Sequence, residues 1–225
     1  MKKPVVDYRQ FRFRKLNDPE FSHLKYLGGW IIYFALYFLT ENLIPASRCY
    51  PVHIGLDDLI PFHEAYVIPY TFWYVLIVIS LGYFALYNTD SFKKLQTYIM
   101  VTQALAMVVY ITFPTRQDLR PEVFPRDNFL TDIVALIYTF DTNTGVLPSL
   151  HVGYSLGIAS VWVREKDASV LWKIFVVVAV LIICLSTAGL KQHSVADAFA
   201  AIPVCLVAEL VTYGKTYWQK LKKIS

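Results

Sequence analysis

Hydrophobic residues gather into six blocks, at residues 26–44, 67–87, 95–113, 149–163, 170–189 and 195–213. A helix crosses the hydrocarbon core of a bilayer in about 20 apolar residues, so blocks of this kind predict membrane-spanning helices. The fourth block is short and the sixth carries Asp197, so those two assignments rest on their surroundings. The first begins too late and runs too long for a cleaved signal peptide, and no small-residue cleavage site follows it. It is expected to be a retained span. Two longer mixed segments, 45–66 and 114–147, separate blocks. Within the second, Phe129, Leu130, Ile133, Val134, Leu136 and Ile137 repeat with a helical period. Its length predicts a short helix that lies on the membrane surface or caps a site, not a seventh span. A seventh span would also put the two termini on opposite sides.

Composition supports that pattern. The 225 residues are 56% hydrophobic and 17% charged, against about 25% charged in a soluble domain, and mean hydropathy is +0.44. The predicted fold is all-α: one integral-membrane bundle of six transmembrane helices, with a short surface helix in the long outer loop. No soluble module, repeat or low-complexity tract interrupts it. The organisation expected is a basic tail at 1–23, a six-helix core at 24–213 and a second basic tail at 214–225. The first tail reads either as an interfacial helix around residues 8–16 or as a solvated segment that sets topology.

The net charge is +4, and its placement matters more than its size. Lys2, Lys3, Arg9, Arg12, Arg14, Lys15 and Lys25 precede the first block, and Lys93 and Lys94 separate the second from the third. Arg164, Lys166 and Lys173 lie around the link between the fourth and fifth, and Lys215, Lys220, Lys222 and Lys223 follow the sixth. Alternate loops and both termini are basic, which is the positive-inside pattern. It predicts a multi-pass protein of the plasma membrane, both termini cytoplasmic, and it assigns the basic excess to orientation rather than to nucleic acid. Cys49, Cys184 and Cys205 show no metal-binding spacing, and the last two fall inside blocks as packing residues.

Two polar clusters sit at the edges of apolar blocks. One is Pro148-Ser149-Leu150-His151; the other runs from Ser186 to Asp197 and includes Lys191 and His193. Ionisable groups at membrane depth cost several kcal/mol unless they are paired or face water, so they mark a working site. With both termini inside, Arg116, Arg120, Ser149, His151, Lys191 and His193 all fall near the outer face. Asp197 follows His193 by four residues, which on a helix places both side chains on one face. A carboxylate there can accept the Nδ1 hydrogen, fix the tautomer and leave Nε2 with a free lone pair. Such a histidine can be a base, a metal ligand or a nucleophile. Metal is disfavoured, because only His151 is well placed as a further ligand and the nearby charges are cationic.

Ser149 suits a helix N-cap, where amides and dipole favour an anion, and His151 can offer a proton to a leaving group. Arg116, Arg120 and Lys191 supply permanent positive charge for phosphate oxygens. The plainer readings are a purely structural His193–Asp197 pair and an Arg116 that snorkels to the interface.

These residues resemble the motifs of the type 2 phosphatidic acid phosphatase superfamily of integral-membrane lipid phosphatases, which read Lys-x6-Arg-Pro, Pro-Ser-Gly-His and Ser-Arg-x5-His-x3-Asp. Pro148-Ser149-Leu150-His151 matches the second with Leu for Gly. Ser186, His193 and Asp197 stand in register with the third, and Arg120-Pro121 matches the end of the first. Two basic residues of the pattern are missing: Phe113 stands where the lysine belongs and Thr187 where the arginine belongs. Arg116 and Lys191 are the expected substitutes. The Leu150 variant resembles branches that include sphingolipid-type phosphotransferases.

The resemblance implies that His193 is a nucleophile forming a phosphohistidine, that Asp197 orients it, and that His151 protonates the departing group. It implies phosphate binding by Arg120, Arg116, Ser149, Lys191 and Ser186, hydrolysis by water, and no metal or other cofactor. The implied substrate is a membrane lipid phosphate or pyrophosphate. Two other readings stand beside it: a phosphotransferase that passes the headgroup to another lipid alcohol, and a transporter or catalytically silent scaffold.

Overall fold

A computed structural model of the chain describes residues 3–223. Its helices are α1 (Gly28–Leu43), α2 (Gly55–Leu59), α3 (Val67–Tyr87), α4 (Thr89–Thr112), α5 (Phe129–Phe140), α6 (Leu150–Arg164), α7 (Val170–Gly189) and α8 (Val195–Leu221). The only strands among the described residues are β1 (Tyr50–Pro51) and β2 (Thr115–Arg116), a short parallel pair that ties the two long loops together.

Four of the helices, α3 with the turn before it, α4, α7 and α8, are long and apolar enough to cross a membrane. Exposed Leu171, Leu181, Leu185, Leu206 and Leu210 clothe the outside of α7 and α8. Large apolar side chains on the outer surface of a bundle are those of a membrane protein. The helices of the first and fourth blocks are shorter, at 16 residues for α1 and 15 for α6. At the rise of an α-helix these lengths cover about 24 and 22 Å, less than the roughly 30 Å hydrocarbon core.

Local structure accounts for both. α1 continues directly from a 3-10 segment, Ser22–Leu27, so part of its apolar block winds more tightly. α6 is the central helix, packed against α3, α4, α7 and α8. Gly157 permits the close approach of α4, since a Cβ there would lie 2.5 Å from the Tyr98 ring. A helix enclosed by protein can stop where its neighbours' loops meet it, without reaching the headgroups.

Both expected tails are more ordered than a tail. α8 runs on to Leu221, through much of the carboxy-terminal basic segment. The amino-terminal segment folds in 3-10 turns, Tyr8–Gln10 and Phe13–Lys15, and docks on the end of α3. The Val5 N–H donates to Leu86 O at 2.8 Å, the Tyr8 hydroxyl donates to Ala85 O at 2.9 Å, and Phe21 and His23 are buried. At the same end, Asn88 and Ser91 donate to Glu165 and close the link between α6 and α7.

The opposite end holds both long loops, α2 and α5. α5 forms where the apolar period predicts it. The Asn128 side chain accepts from the N–H groups of Leu130 and Thr131, and the Thr131 hydroxyl accepts from the Asn128 N–H in return. Its inner face, with Thr131 and Val134 buried, packs with Val67, Tyr70 and Leu190, while Phe129, Leu136 and Phe140 stay exposed. The helix therefore caps the loop end of the bundle.

Candidate active site

The first turn of α8 is capped from both ends of the run Ser194-Val195-Ala196-Asp197. Asp197 Oδ2 accepts the Ser194 N–H at 2.9 Å, and Ser194 Oγ accepts the Ala196 N–H at 3.1 Å. The same Asp197 oxygen lies 3.1 Å from His193 Nδ1. One carboxylate thus caps the helix and holds the histidine, which keeps the proton on Nδ1 and leaves Nε2 as the free nitrogen. Asp197 is fully buried, and its Oδ1 has no hydrogen-bond partner.

α6 starts beside this turn. The Ser149 N–H donates to Asp197 O at 3.1 Å, and Ser149 Oγ accepts from Val152 N–H at 3.4 Å as the N-cap. This junction sets His151 opposite His193, with ring centroids 5.5 Å apart. His151 is wedged against Tyr70 and Trp73 of α3, with centroids at 4.5 and 4.1 Å. Its Nε2 is buried without a partner.

Both histidines line a cavity of about 520 Å³. Aromatic rings form a large part of its wall, among them Trp30, Tyr33 and Tyr37 of α1, Trp73 and Tyr74 of α3, Tyr110 of α4 and Tyr154 of α6. Leu136, Ile137 and Phe140 of α5 close one side. Asp141, Thr142, Thr144 and Gln192 complete the polar lining, and among the described residues no Lys or Arg belongs to it. A concave, mostly apolar site with a few convergent polar groups is the usual form of a small-molecule pocket.

The basic residues expected around a phosphate lie outside this wall. Arg120 touches it from behind. It donates to Gln192 Oε1 at 2.6 Å, Asp141 O at 2.5 Å and Tyr138 O at 3.1 Å, and it stacks over the Tyr138 ring at 4.3 Å. Burial pushes the Arg120 pKa below its ordinary value and nearby Asp141 opposes this; a guanidinium remains charged in either case. Arg116 pairs with Asp118 at 2.9 Å and donates to the carbonyls of Ala46 and Cys49, each at 2.9 Å. It joins the two long loops.

Lys191 takes a left-handed backbone conformation, φ 57°, and its ammonium donates to Asp57 O at 2.6 Å. Ser186 Oγ donates to Ile183 O at 2.6 Å within α7. The fold therefore brings His193, His151 and Asp197 together and holds Ser149 and Arg120 against them. It engages Arg116, Lys191 and Ser186 in contacts of the protein's own.

Several residues of the site escape sequence reasoning. The Tyr70 hydroxyl donates to Asp141 Oδ2 at 2.5 Å, and Gln192 Nε2 donates to the same oxygen at 3.0 Å. Gln192 carried a signal, since it lies inside the third motif beside His193. Asp141 reaches the cavity only because α5 folds over it. Among the described residues, no group of three or more His, Cys, Asp or Glu side chains is arranged to hold a metal ion. Comparison with protein-family models, with curated proteins and with solved structures finds no match to this chain.

Proposed function

We propose that the protein is a membrane lipid phosphatase that works through a phosphohistidine on His193. The observation that carries this reading is the 3.1 Å contact of His193 Nδ1 with buried Asp197, at a cavity that a second histidine shares. With Nδ1 engaged, Nε2 attacks phosphorus, and the N–P bond forms as the bond from phosphorus to the lipid oxygen breaks. His151 gives a proton to that leaving oxygen and then takes one from the water that cleaves the N–P bond. Arg120, acting through Gln192, and the amides at the start of α6 favour the phosphoryl charge.

A lipid-borne substrate suits the cavity's position. Phe34, Val78, Leu136 and Phe140 line it and are also exposed on the apolar outer surface of the bundle. A side opening lined in this way lets an acyl or prenyl chain remain in the membrane while its phosphate reaches His193. In this reading α1 and α6 complete six crossings, with both termini cytoplasmic and the site on the outer face, as the basic segments favour. Cysteines introduced beside Lys3 and at Ser225 are then both expected to resist a membrane-impermeant reagent added to intact cells. Labelling of one alone would sink the arrangement.

Purified protein in detergent, with chelator present, is expected to release inorganic phosphate from at least one of phosphatidic acid, phosphatidylglycerol phosphate and a polyprenyl pyrophosphate. The apolar wall of the cavity favours a second reading, transfer to the hydroxyl of another lipid, since such a wall admits a lipid alcohol more readily than water. Appearance of the headgroup on a second lipid without free phosphate would select transfer. Folded protein that turns over none of the three substrates would leave a scaffold or transporter.

A further inference from the structure

The turn that carries His193 is gripped on both sides by one residue from a distant loop. Asp57, in α2, lies 137 residues before Ser194 and is buried. Its Oδ1 accepts the Val195 N–H at 2.7 Å, and its Oδ2 accepts the Ser194 hydroxyl at 2.6 Å and the Ile54 N–H at 2.9 Å. Its main-chain oxygen accepts the Lys191 ammonium at 2.6 Å. Lys191 before His193, and Ser194 and Val195 after it, are thus fastened to the same residue.

Each of these contacts meets a physical need. The Val195 N–H is among the first-turn amides that no intrahelical carbonyl can satisfy, and a carboxylate at a helix N-terminus is favoured by the dipole. The left-handed backbone of Lys191 is strained for a residue with a Cβ, and such a conformation persists only where surrounding contacts hold it. Two carboxylates meet on Ser194: Asp197 takes its N–H and Asp57 its O–H. Through Ser194, the position of Asp197 and its contact with His193 depend on Asp57. Asp141 also holds this turn, but at Gln192, whose Nε2 donates to its Oδ2 at 3.0 Å, and not at Ser194 or Val195.

We infer that Asp57 is a positioning residue for His193. It fixes the 191–195 turn, aims Nε2 at the phosphorus, and governs the rate of phosphoryl transfer without touching the substrate. This rests on the phosphatase reading above.

Asp57→Asn preserves shape but, whichever way its amide turns, sets the NH2 donor against a backbone donor, the Ile54 N–H or the Val195 N–H. It is expected to lower kcat and the rate of His193 phosphorylation on the order of 10- to 100-fold, with KM changed less than about threefold. Ser194→Ala cuts the same link, so the double variant is expected to be no slower than the slower single one. A variant that melts earlier but keeps kcat per folded molecule would reduce Asp57 to a structural cap and overturn the inference.

A second measurement needs no turnover: carbethoxylation of His193 by diethyl pyrocarbonate, followed by peptide mass spectrometry with exposed His63 as the internal reference. Asp57→Asn is expected to change the His193 rate by about fivefold or more, as a loosened turn opens locally. An unchanged rate overturns the positioning role. A changed rate in a protein whose wild type turns over no lipid would instead remove the phosphatase reading and leave the positioning role standing.

Discussion

Replacement of His193 by Ala is expected to abolish turnover and the acid-labile phosphoenzyme together, a loss on the order of 10⁵-fold or more, as removal of a nucleophile produces. His151→Ala is expected to cost about a thousandfold, the scale of a lost proton donor, and to regain much of that with a leaving group such as p-nitrophenolate that needs no proton. The assignment follows from what each ring touches. His193 has a buried carboxylate on Nδ1. His151 is flanked by the rings of Tyr70 and Trp73, and the residues three and four positions on are Tyr154 and Ser155. Nothing acidic orients it for attack. Phosphoenzyme trapped in His193→Ala, or label found on His151 alone, would reverse the roles.

Arg120→Ala is expected to lower turnover on the order of a hundredfold and stability by about 2 kcal/mol. The guanidinium bridges the end of α5 to Gln192, so its loss leaves the carbonyls of Tyr138 and Asp141 and the amide of Gln192 without their donor. Gln192 is then held only through its Nε2, which donates to Asp141 and Tyr70, and it is the neighbour of His193 in the chain and in the cavity wall. Arg120→Lys keeps the charge but cannot reproduce a planar fork to three separate acceptors. It is therefore expected to recover little activity. Turnover and thermal melting in detergent measure both effects, and an Arg120→Ala enzyme near wild type would remove this residue from the reaction.

What the chain by itself determined about this protein are the features set within a turn or two of helix. All six apolar blocks became helices, four of them within two residues of their expected bounds, while α4 begins earlier and α8 ends later than its block. α5 formed because its apolar period and its Asn128 cap agree. The histidine–carboxylate contact joins residues four apart as expected, but His193 lies in the turn before α8, so the contact is made through the helix cap and not along a helical face.

Tertiary structure alone decided what depends on partners far along the chain. It set α6 at the centre of the bundle, and it docked the amino-terminal segment through Val5 and Tyr8 on the end of α3. It also decided which basic groups stand near the cavity. Arg116 and Lys191 have the right charge, yet Asp118 and the Ala46 and Cys49 carbonyls engage the first, and Asp57 O the second. Asp57 and Asp141 gave no local signal, because their roles exist only once α2 reaches the start of α8 and α5 closes over the cavity. The physical reason is reach. A helical spacing dictates which of its own residues meet, whereas a long side chain on a loop pairs with whichever acceptor the folded chain brings within a hydrogen bond's length.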